Sequence, residues 1–436
     1  MPRLERHPGL EFEPAGFPAA RMTLLRRHLA HAARSPFYRE LFAREGIAPR
    51  NVRTAADLAR LPLTTKRDLE ERNPDFLAVP AGDVVDICQS SGTTGVPVSL
   101  LQTRGDLERL AYNEELSFRA AGVVPGERAL VAAALDRCFM AGLAYFLGLC
   151  RLGATVIRGG SGSIDFLAEL VVRHRPAVMV GVPTLLAAVG EAVAARGLPP
   201  SASGIGRLVC IGEPVRREDL ALSALGERLA QIWGAAVLGT YASTEMATSF
   251  ADCAQGTGGH LHPDLVVVEI VDERGNPLPP GTPGEVVATP LQVGGMPLVR
   301  FCTGDIATLH ADPCPCGRTS PRLGPVIGRK SQMLKVRGTT VYPPAIFAAL
   351  QEIPEIKGFY IEVRDTFELS DRVTVTVGAD DPALSAGAVA DRIAARTRVR
   401  PEVVVAPPAQ IAAHTIRADK RKPIVFFDLR EKRHVH

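Results

Sequence analysis

The chain has 436 residues, enough for two or three domains around a sizeable buried core. Hydrophobic residues make up 46% and charged residues 22%, an ordinary globular balance that argues against an intrinsically disordered chain. The formal charge of +3 comes from 50 Lys and Arg against 47 Asp and Glu dispersed along the length, which argues against nucleic acid as the main partner.

No window holds the ~20 apolar residues that a transmembrane helix needs, and Met1–Pro14 lacks the apolar stretch of a signal peptide. No membrane partner and a cytoplasmic location are therefore expected. Four of the eight cysteines, Cys88, Cys138, Cys150 and Cys210, stand singly in apolar or strand-like surroundings, Cys302 lies beside a turn, and no disulfide framework is evident. The short basic tail Arg430–Arg433 reads as a solvated end.

The first 80 residues predict helices at Arg21–Ala33, Phe37–Glu45 and Thr65–Glu71, punctuated by Pro and Gly. From about Val84, short apolar runs (Ala129–Ala134, Ala154–Ile157, Ala177–Val180, Arg207–Ile211, Ala236–Leu238) alternate with helical stretches. Those stretches are Leu107–Ala121, Met140–Leu152, Ile164–His174, Thr184–Ala195 and Arg217–Trp233. Such alternation implies parallel sheet layers wrapped by helices, an α/β class. After Leu265 the strands Leu265–Asp272, Gly284–Pro290 and Leu298–Leu309, joined by Pro/Gly turns, predict a β-rich subdomain. Beyond about Gly328 two strand-like stretches (Gly358–Val363, Arg372–Val377), a helix at Ala386–Thr397 and a final strand predict a small α+β lid. The expected division is 1–328 and 329–436, with a β-rich part over 250–328.

The most informative segment is Gln89-Ser90-Ser91-Gly92-Thr93-Thr94-Gly95-Val96-Pro97. Small residues let the backbone approach an anion closely, and clustered hydroxyls and N–H groups can surround a polyphosphate. It is not the common nucleotide loop, because no Gly-Lys-Ser/Thr follows Gly92 at the required spacing. The plain alternative is a polar hairpin turn.

With the whole string in view, the sequence resembles the adenylate-forming superfamily of acyl-CoA synthetases and adenylation domains, and more narrowly its phenylacetate-CoA ligase-like branch. The resemblance covers nearly the whole chain, with the motifs in family order. It implies that Ser90, Ser91, Gly92, Thr93, Thr94 and Gly95 hold the phosphates of ATP, and that Gly212-Glu213-Pro214 forms the wall of the adenine pocket. Tyr241-Ala242-Ser243-Thr244-Glu245 matches the family's Tyr-Gly-x-Thr-Glu string, in which the Thr contacts phosphate and the Glu helps hold magnesium. A hard cation with oxygen ligands offsets the charge of the α-phosphate and departing pyrophosphate. Equally, a Glu at that place suits the first turn of a helix.

Arg300-Phe301-Cys302-Thr303-Gly304-Asp305 is similar to the family's Tyr-Arg-Thr-Gly-Asp string, whose Asp accepts bonds from both ribose hydroxyls. Gly328-Arg329 opens the family's hinge motif and Lys335-Val336-Arg337-Gly338 completes it, with Arg329 contacting ribose or phosphate and Ser331 at the hinge. Lys422-Pro423-Ile424-Val425-Phe426-Phe427-Asp428 aligns with the catalytic-lysine segment, and Lys420 competes with Lys422 for that role. The chain departs from the family at Val96 and Val98, where a loop lysine is common, at Ala242 for Gly, and at Ser331 and Gln332 in the hinge.

Cys314-Pro315-Cys316-Gly317-Arg318 is a close cysteine pair on a turn, and upstream lie Cys253, His260 and His262. Three thiolates and one imidazole complete a closed tetrahedral zinc site. The resemblance implies His260 over His262, because relatives place the histidine four residues before an Asp, here Asp264. Unpaired buried cysteines are the alternative. The resemblance also places the acyl site at the helix beginning Phe139-Met140, with Phe139, Met140 and Tyr145 giving a flat apolar pocket suited to an aromatic acid. Any one of the three reads equally as core.

The sequence thus predicts an enzyme that uses ATP and magnesium to make an acyl-adenylate and passes it to coenzyme A, with a possible homodimer as the assembly. Other acceptors, an amine or a carrier-protein thiol, stay open, as does a nucleotide-binding regulatory protein without turnover.

Overall fold

A computed structural model of the chain describes residues 4–13, 18–90, 98–336, 339–365, 370–381, 384–416 and 424–430. It forms two compact units, Met1–Val326 and Ile327–His436. The first opens with four helices, α1 (Ala19–Ala32), α2 (Pro36–Arg44), α3 (Ala55–Ala59) and α4 (Lys66–Arg72). Thr54 and Thr65 start α3 and α4 with reciprocal capping boxes to Asp57 and Asp68, which satisfies backbone donors that a helix start leaves free. Leu25, Leu29, Tyr38, Phe76 and Phe301 pack together beneath them.

A hairpin of β1 (Val84–Gln89) and β2 (Ser99–Thr103) leads into α5 (Arg104–Ala120). Then β3 (Arg128–Ala132), α6 (Met140–Leu152), β4 (Thr155–Arg158), α7 (Ile164–His174), β5 (Val178–Gly181), α8 (Pro183–Ala195), β6 (Arg207–Cys210), α9 (Ala224–Trp233), β7 (Ala236–Ser243) and β8 (Thr248–Ala251) follow. They build a six-stranded sheet in the order β4-β3-β5-β6-β7-β8, parallel except for β8. Side chains alternate along each strand, so both faces are apolar and both are covered. Leu130, Met179 and Leu208 face Leu167, Val189 and Trp233 of α7, α8 and α9. Val131, Val180 and Val209 face Phe118 of α5 and Tyr145 and Leu149 of α6.

The β-rich part comprises β9 (Gly259–His260), β10 (Val266–Val271), β11 (Gly284–Pro290), β12 (Phe301–Ala307), β13 (Leu309–His310) and β14 (Arg322–Leu323). β10, β11 and β12 are antiparallel neighbours, and β13, β14 and β9 form a small separate sheet. The second unit has a hairpin at Leu334–Val336 and Thr339–Val341, and a sheet of Glu402–Ala406, Asp371–Gly378, Phe359–Asp365 and Phe426–Asp428 in that order. Helices Pro343–Gln351 and Ala386–Thr397 pack their apolar faces on it.

The α/β class expected from the sequence is found, with three local corrections. The helix expected from Arg217 starts only at Ala224, where the Ser223 hydroxyl caps it. Before it, Arg217–Ala221 is a turn with Leu220 at φ 67°. Arg216 holds that turn by donating to Leu220 O at 3.0 Å and to Asp252 at 2.6 Å. The strand expected from Leu298 begins at Phe301 because Arg300 sits at φ 45°, its guanidinium reaching Glu269 and the carbonyls of Ala59, Leu61 and Gly275. Cys138 and Cys150 are exposed, unlike Cys88 and Cys210, because they lie in the loop before α6 and on its outer face. Among the described residues no helix is long and apolar enough to cross a membrane.

Candidate functional site

In an open parallel sheet the strand ends at the carboxyl edge leave a crevice that ligands occupy. Here three segments singled out from the sequence, and Thr184, which was not, follow that edge strand by strand. Phe139 and Met140 come after β3 and open α6, Thr184 comes after β5, Gly212-Glu213-Pro214 comes after β6, and Tyr241 lies on the last half of β7. The edge is tied across itself. Thr184 donates from its N–H and its hydroxyl to the Glu213 carboxylate, both at 3.1 Å, and the Thr240 hydroxyl donates to Cys210 O at 2.8 Å. Gly212 takes φ 70° and is exposed, so the backbone there turns without a side chain over the crevice.

Ser90 and Val98 close the base of the Gly-rich segment. The Ser90 N–H donates to Val98 O at 2.9 Å, and the Val98 N–H donates to Ser90 Oγ at 3.2 Å. The segment therefore links two antiparallel strands, β1 and β2. Ser91, Gly92, Thr93, Thr94 and Gly95 lie outside the described residues, as do Val96, Arg337, Gly338, Lys420 and Lys422.

Tyr241 and Asp305 come together although 64 positions separate them: the phenol donates to Asp305 Oδ2 at 3.0 Å. A bulge places the aspartate. Between β11 and β12 the register passes from Glu285↔Ile306 to Val287↔Cys302, so Thr303-Gly304-Asp305 opposes the single residue Val286. Gly304 takes φ 75°, and the Thr303 hydroxyl donates to Val286 O at 2.9 Å and accepts from the Asp305 N–H at 3.1 Å. Thr244 and Glu245 are half-buried in the turn between β7 and β8, not in a helix. Arg329 and Ser331 are exposed just beyond the division at Val326, with Ser331 inside a short 3-10 turn over Lys330–Gln332.

Phe139 is half-buried at the start of α6. Met140 is buried against Cys88, Leu110 and Ala144, and Tyr145 lies in the core against Phe118 with ring centroids 6.0 Å apart.

Cys253, His260, Cys314 and Cys316 present one donor atom each, all within 4.8 Å of one another. Cys253 follows β8, His260 ends β9, and the Cys-Pro-Cys turn joins β13 to β14, whose Arg322 is the strand partner of His260. The two Sγ atoms of Cys253 and Cys314 are 3.6 Å apart, and Cys316 Sγ is 3.5 Å from His260 Nε2. Ligands about 2.3 Å from a tetrahedral zinc stand roughly 3.5–3.8 Å from each other, whereas a disulfide needs about 2.05 Å. The four donors fit zinc. Burial pushes His260 down to about 4, which keeps the imidazole in the neutral, ligating form. Burial of Cys314 works against its thiolate, but hydrogen bonds from the Thr257 hydroxyl and from Cys316 hold the thiol below its ordinary range.

His262, the competing histidine, points elsewhere: its Nδ1 is 2.6 Å from Glu11 and its Nε2 is 3.0 Å from Ser117 Oγ. Around the four donors the sequence reading missed Thr257, Ser320 and Glu11. Only Arg318, beside the cysteine pair, stood where local sequence signals it. Its guanidinium lies 3.7 Å from Cys316 Sγ and 2.8 Å from Glu11.

Residues 37–294 match the AMP-binding enzyme family, and the chain belongs to it. It is 34% identical over 344 residues to a phenylacetate-coenzyme A ligase of Thermus thermophilus, spanning 77% of this chain and 75% of that one. A phenylacetate-coenzyme A ligase of Escherichia coli is 31% identical over 370 residues, with 82% and 81% covered. Among solved structures, 2-hydroxyisobutyryl-CoA ligase in the thioesterification state with 2-HIB-AMP and CoA matches at a TM-score of 0.71 and 26% identity. That match covers 97% of this chain and 92% of that one. The same ligase in the postadenylation state with 2-HIB-AMP matches at a TM-score of 0.84 and 25% identity. The enzyme is an AMP-forming acid–CoA ligase. ATP activates a carboxylic acid as an acyl-adenylate with loss of pyrophosphate, and coenzyme A then takes the acyl group.

Proposed function

We propose that the acid is aromatic and that the carboxyl edge of the parallel sheet is where it meets ATP. The observation that carries this reading is the row of segments after β3, β5, β6 and β7, with the Tyr241–Asp305 pair beside it. Phe139 and Met140 line the acyl site at the start of α6, and Tyr145 supports them from the core. Ser90 through Gly95 hold the phosphates, Gly212, Glu213 and Pro214 border the adenine, Asp305 accepts from the ribose hydroxyls, and Thr244 contacts phosphate. Magnesium, held by Glu245, supplies charge neutralisation at the phosphates. The Thermus and Escherichia relatives, both phenylacetate-coenzyme A ligases, support an aromatic acid.

The chemistry then follows from the site. A carboxylate carbon is a poor electrophile because oxide does not leave. Attack of a carboxylate oxygen on the α-phosphorus forms the acyl–phosphate bond and breaks the bond to pyrophosphate. Lys422 holds the carboxylate and the bridging oxygen, and the fixed positions of acid and nucleotide supply much of the acceleration. The thiol sulfur of coenzyme A next attacks the acyl carbon and AMP departs. Residues 329–436 serve as a lid that turns about Ser331 between the two steps, with Arg329 contacting ribose or phosphate. Zinc at Cys253, His260, Cys314 and Cys316 is structural and ties the β-rich part, 250–328, to the rest of the 1–328 domain. The enzyme works in the cytoplasm, as a homodimer.

Pyrophosphate release with ATP and magnesium across aryl, amino-aryl and short aliphatic acids, with and without coenzyme A, tests this. Release with aryl acids, accelerated by coenzyme A and accompanied by a thioester mass, is the expected result. A preference for short aliphatic acids would remove the aromatic reading. Lys422→Ala is expected to abolish acid-dependent ATP–pyrophosphate exchange, and intact exchange would remove the role given to Lys422.

A further inference from the structure

Arg109, on α5, is one of the largest side chains in the molecule with almost no exposed surface, 1%. Its guanidinium is spent on neutral oxygens. Nε donates to Leu291 O at 2.6 Å, Nη1 to Ala247 O at 2.6 Å, and Nη2 to Leu265 O at 2.6 Å and to Thr248 Oγ1 at 3.0 Å. Asp106 and Asp264 lie near enough to stabilise the charge, and burial lowers the group to about 10, so it remains a cation at neutral pH. A buried cation is costly, and one held by four neutral acceptors calls for a reason.

The oxygens it holds point to one. Ser243 and Thr248 are strand partners at the ends of β7 and β8, so Thr244–Ala247 is the whole connection between them. Ala247 sits at φ 45°, a left-handed conformation that is unfavourable for a non-glycine residue. Such a residue persists only where its surroundings over-determine it. Met246 is fully buried in the core beside Phe250, its carbonyl accepts from the Thr248 hydroxyl at 2.8 Å, and the Ala247 N–H donates to Thr244 O at 3.2 Å. Arg109 therefore clamps the end of the turn that carries Thr244 and Glu245, and through Leu265 and Leu291 it ties that turn to the β-rich part. Nothing in the local sequence of α5 signals this, since Arg109 lies 136 positions before Glu245.

We infer that Arg109 is a positioning residue for the adenylation step, fixing the Thr244–Glu245 turn so that its carboxylate meets the magnesium of the nucleotide. The inference rests on the reading of Glu245 as the magnesium-holding carboxylate. Its mark is a change in magnesium dependence with the KM for the acid unchanged, a pattern that general destabilisation does not produce.

The test is ATP binding by titration calorimetry in the absence of acid, and pyrophosphate release with the KM for the acid, each against magnesium concentration, for the unaltered enzyme and for Glu245→Gln, Arg109→Gln, Arg109→Lys and Thr248→Val. Glu245→Gln establishes the parent reading by raising half-saturating magnesium. Arg109→Gln is expected to raise it about tenfold, the effect of losing about 1.4 kcal/mol, with Arg109→Lys recovering part of the loss. Thr248→Val, which removes one of the four acceptors together with the donor to Met246 O, is expected to raise it about threefold. If Arg109→Gln fails to fold, Arg109→Lys, which keeps the charge but cannot span the four acceptors, decides through an intermediate shift. A shift in Glu245→Gln with none in the Arg109 and Thr248 variants overturns the positioning role. No shift in Glu245→Gln overturns the magnesium reading of Glu245 itself, and the inference falls with it.

Discussion

Glu11 and His262, 251 positions apart, share a 2.6 Å hydrogen bond deep in the larger unit. The other Glu11 oxygen accepts from Arg318 Nε at 2.8 Å, and the Glu11 carbonyl accepts from the N–H groups of Thr319 and Ser320 at 2.8 and 3.1 Å. On its far side His262 meets Ser117 of α5. The N-terminal segment thus bridges α5 and the loop of the cysteine pair. Burial alone would raise the Glu11 carboxyl, but His262 and Arg318 outweigh it and hold the group below its usual range.

Removing that bridge should cost stability. Glu11→Ala leaves the Arg318 guanidinium beside Cys316 without its carboxylate, a loss of about 3 kcal/mol at pH 7 by urea denaturation. Because the folded-state pKa is lowered, the stabilisation is complete above about 4.5 and disappears as pH falls through the folded value. The gap between wild type and variant should therefore narrow below about pH 4.5, and a gap that stays constant there would remove Glu11 as its source.

Metal content follows from the four donors. The purified enzyme is expected to carry zinc in equimolar amount, released by a thiol-directed mercurial and absent from Cys314→Ser. Loss of the metal should lower the melting temperature by several degrees, because the Cys-Pro-Cys turn and the Cys253–His260 segment then lose the bonds that join them directly and keep only short strands and hydrogen bonds. Metal analysis alongside thermal melts checks both parts. Zinc-free enzyme of unchanged melting temperature would show that the four residues pack without a metal.

Glu114 offers a test by pH. It lies fully within the α5–α6 contact, where a Cβ on Gly148 would come 2.2 Å from its own Cβ, and burial raises its carboxyl to about 7. A raised carboxyl is at its most favourable while protonated, so its contribution is intact below about 4.5 and declines as pH rises towards 7. Glu114→Gln avoids that decline. It should match the wild type at pH 4.5 and exceed it at pH 8 by up to about 3 kcal/mol. Equal differences in stability at the two pH values would place the Glu114 titration elsewhere.

The Tyr241–Asp305 pair separates nucleotide affinity from turnover. Tyr241→Phe removes one donor to Asp305 and leaves the ring stacked beside Phe250. The KM for ATP should rise by about three- to tenfold, the value of one hydrogen bond, with kcat nearly unchanged. Asp305→Ala should raise it further. A fall in kcat for Tyr241→Phe at constant KM would place the pair in the reaction step instead.

Much of this was legible in the chain itself. Short apolar runs such as Ala177–Val180 alternate with helical stretches such as Ile164–His174, so the layered α/β class followed from local pattern. The Gly-rich segment by itself read as an anion-binding or a plain polar turn, and the Tyr241–Glu245 and Thr303–Asp305 strings pointed to adenylation only through their resemblance to the adenylate-forming family. Tertiary structure decided what spacing does not encode. It set His262 against Glu11 and His260 against Cys316, stopped a strand at Arg300 because its guanidinium reaches three distant carbonyls, and set Arg109 under a turn far along the chain. Periodicity and turn chemistry act between near neighbours and survive in the sequence. Hydrogen bonds between buried polar groups depend on which segments the sheet brings together, and only the folded chain specifies that.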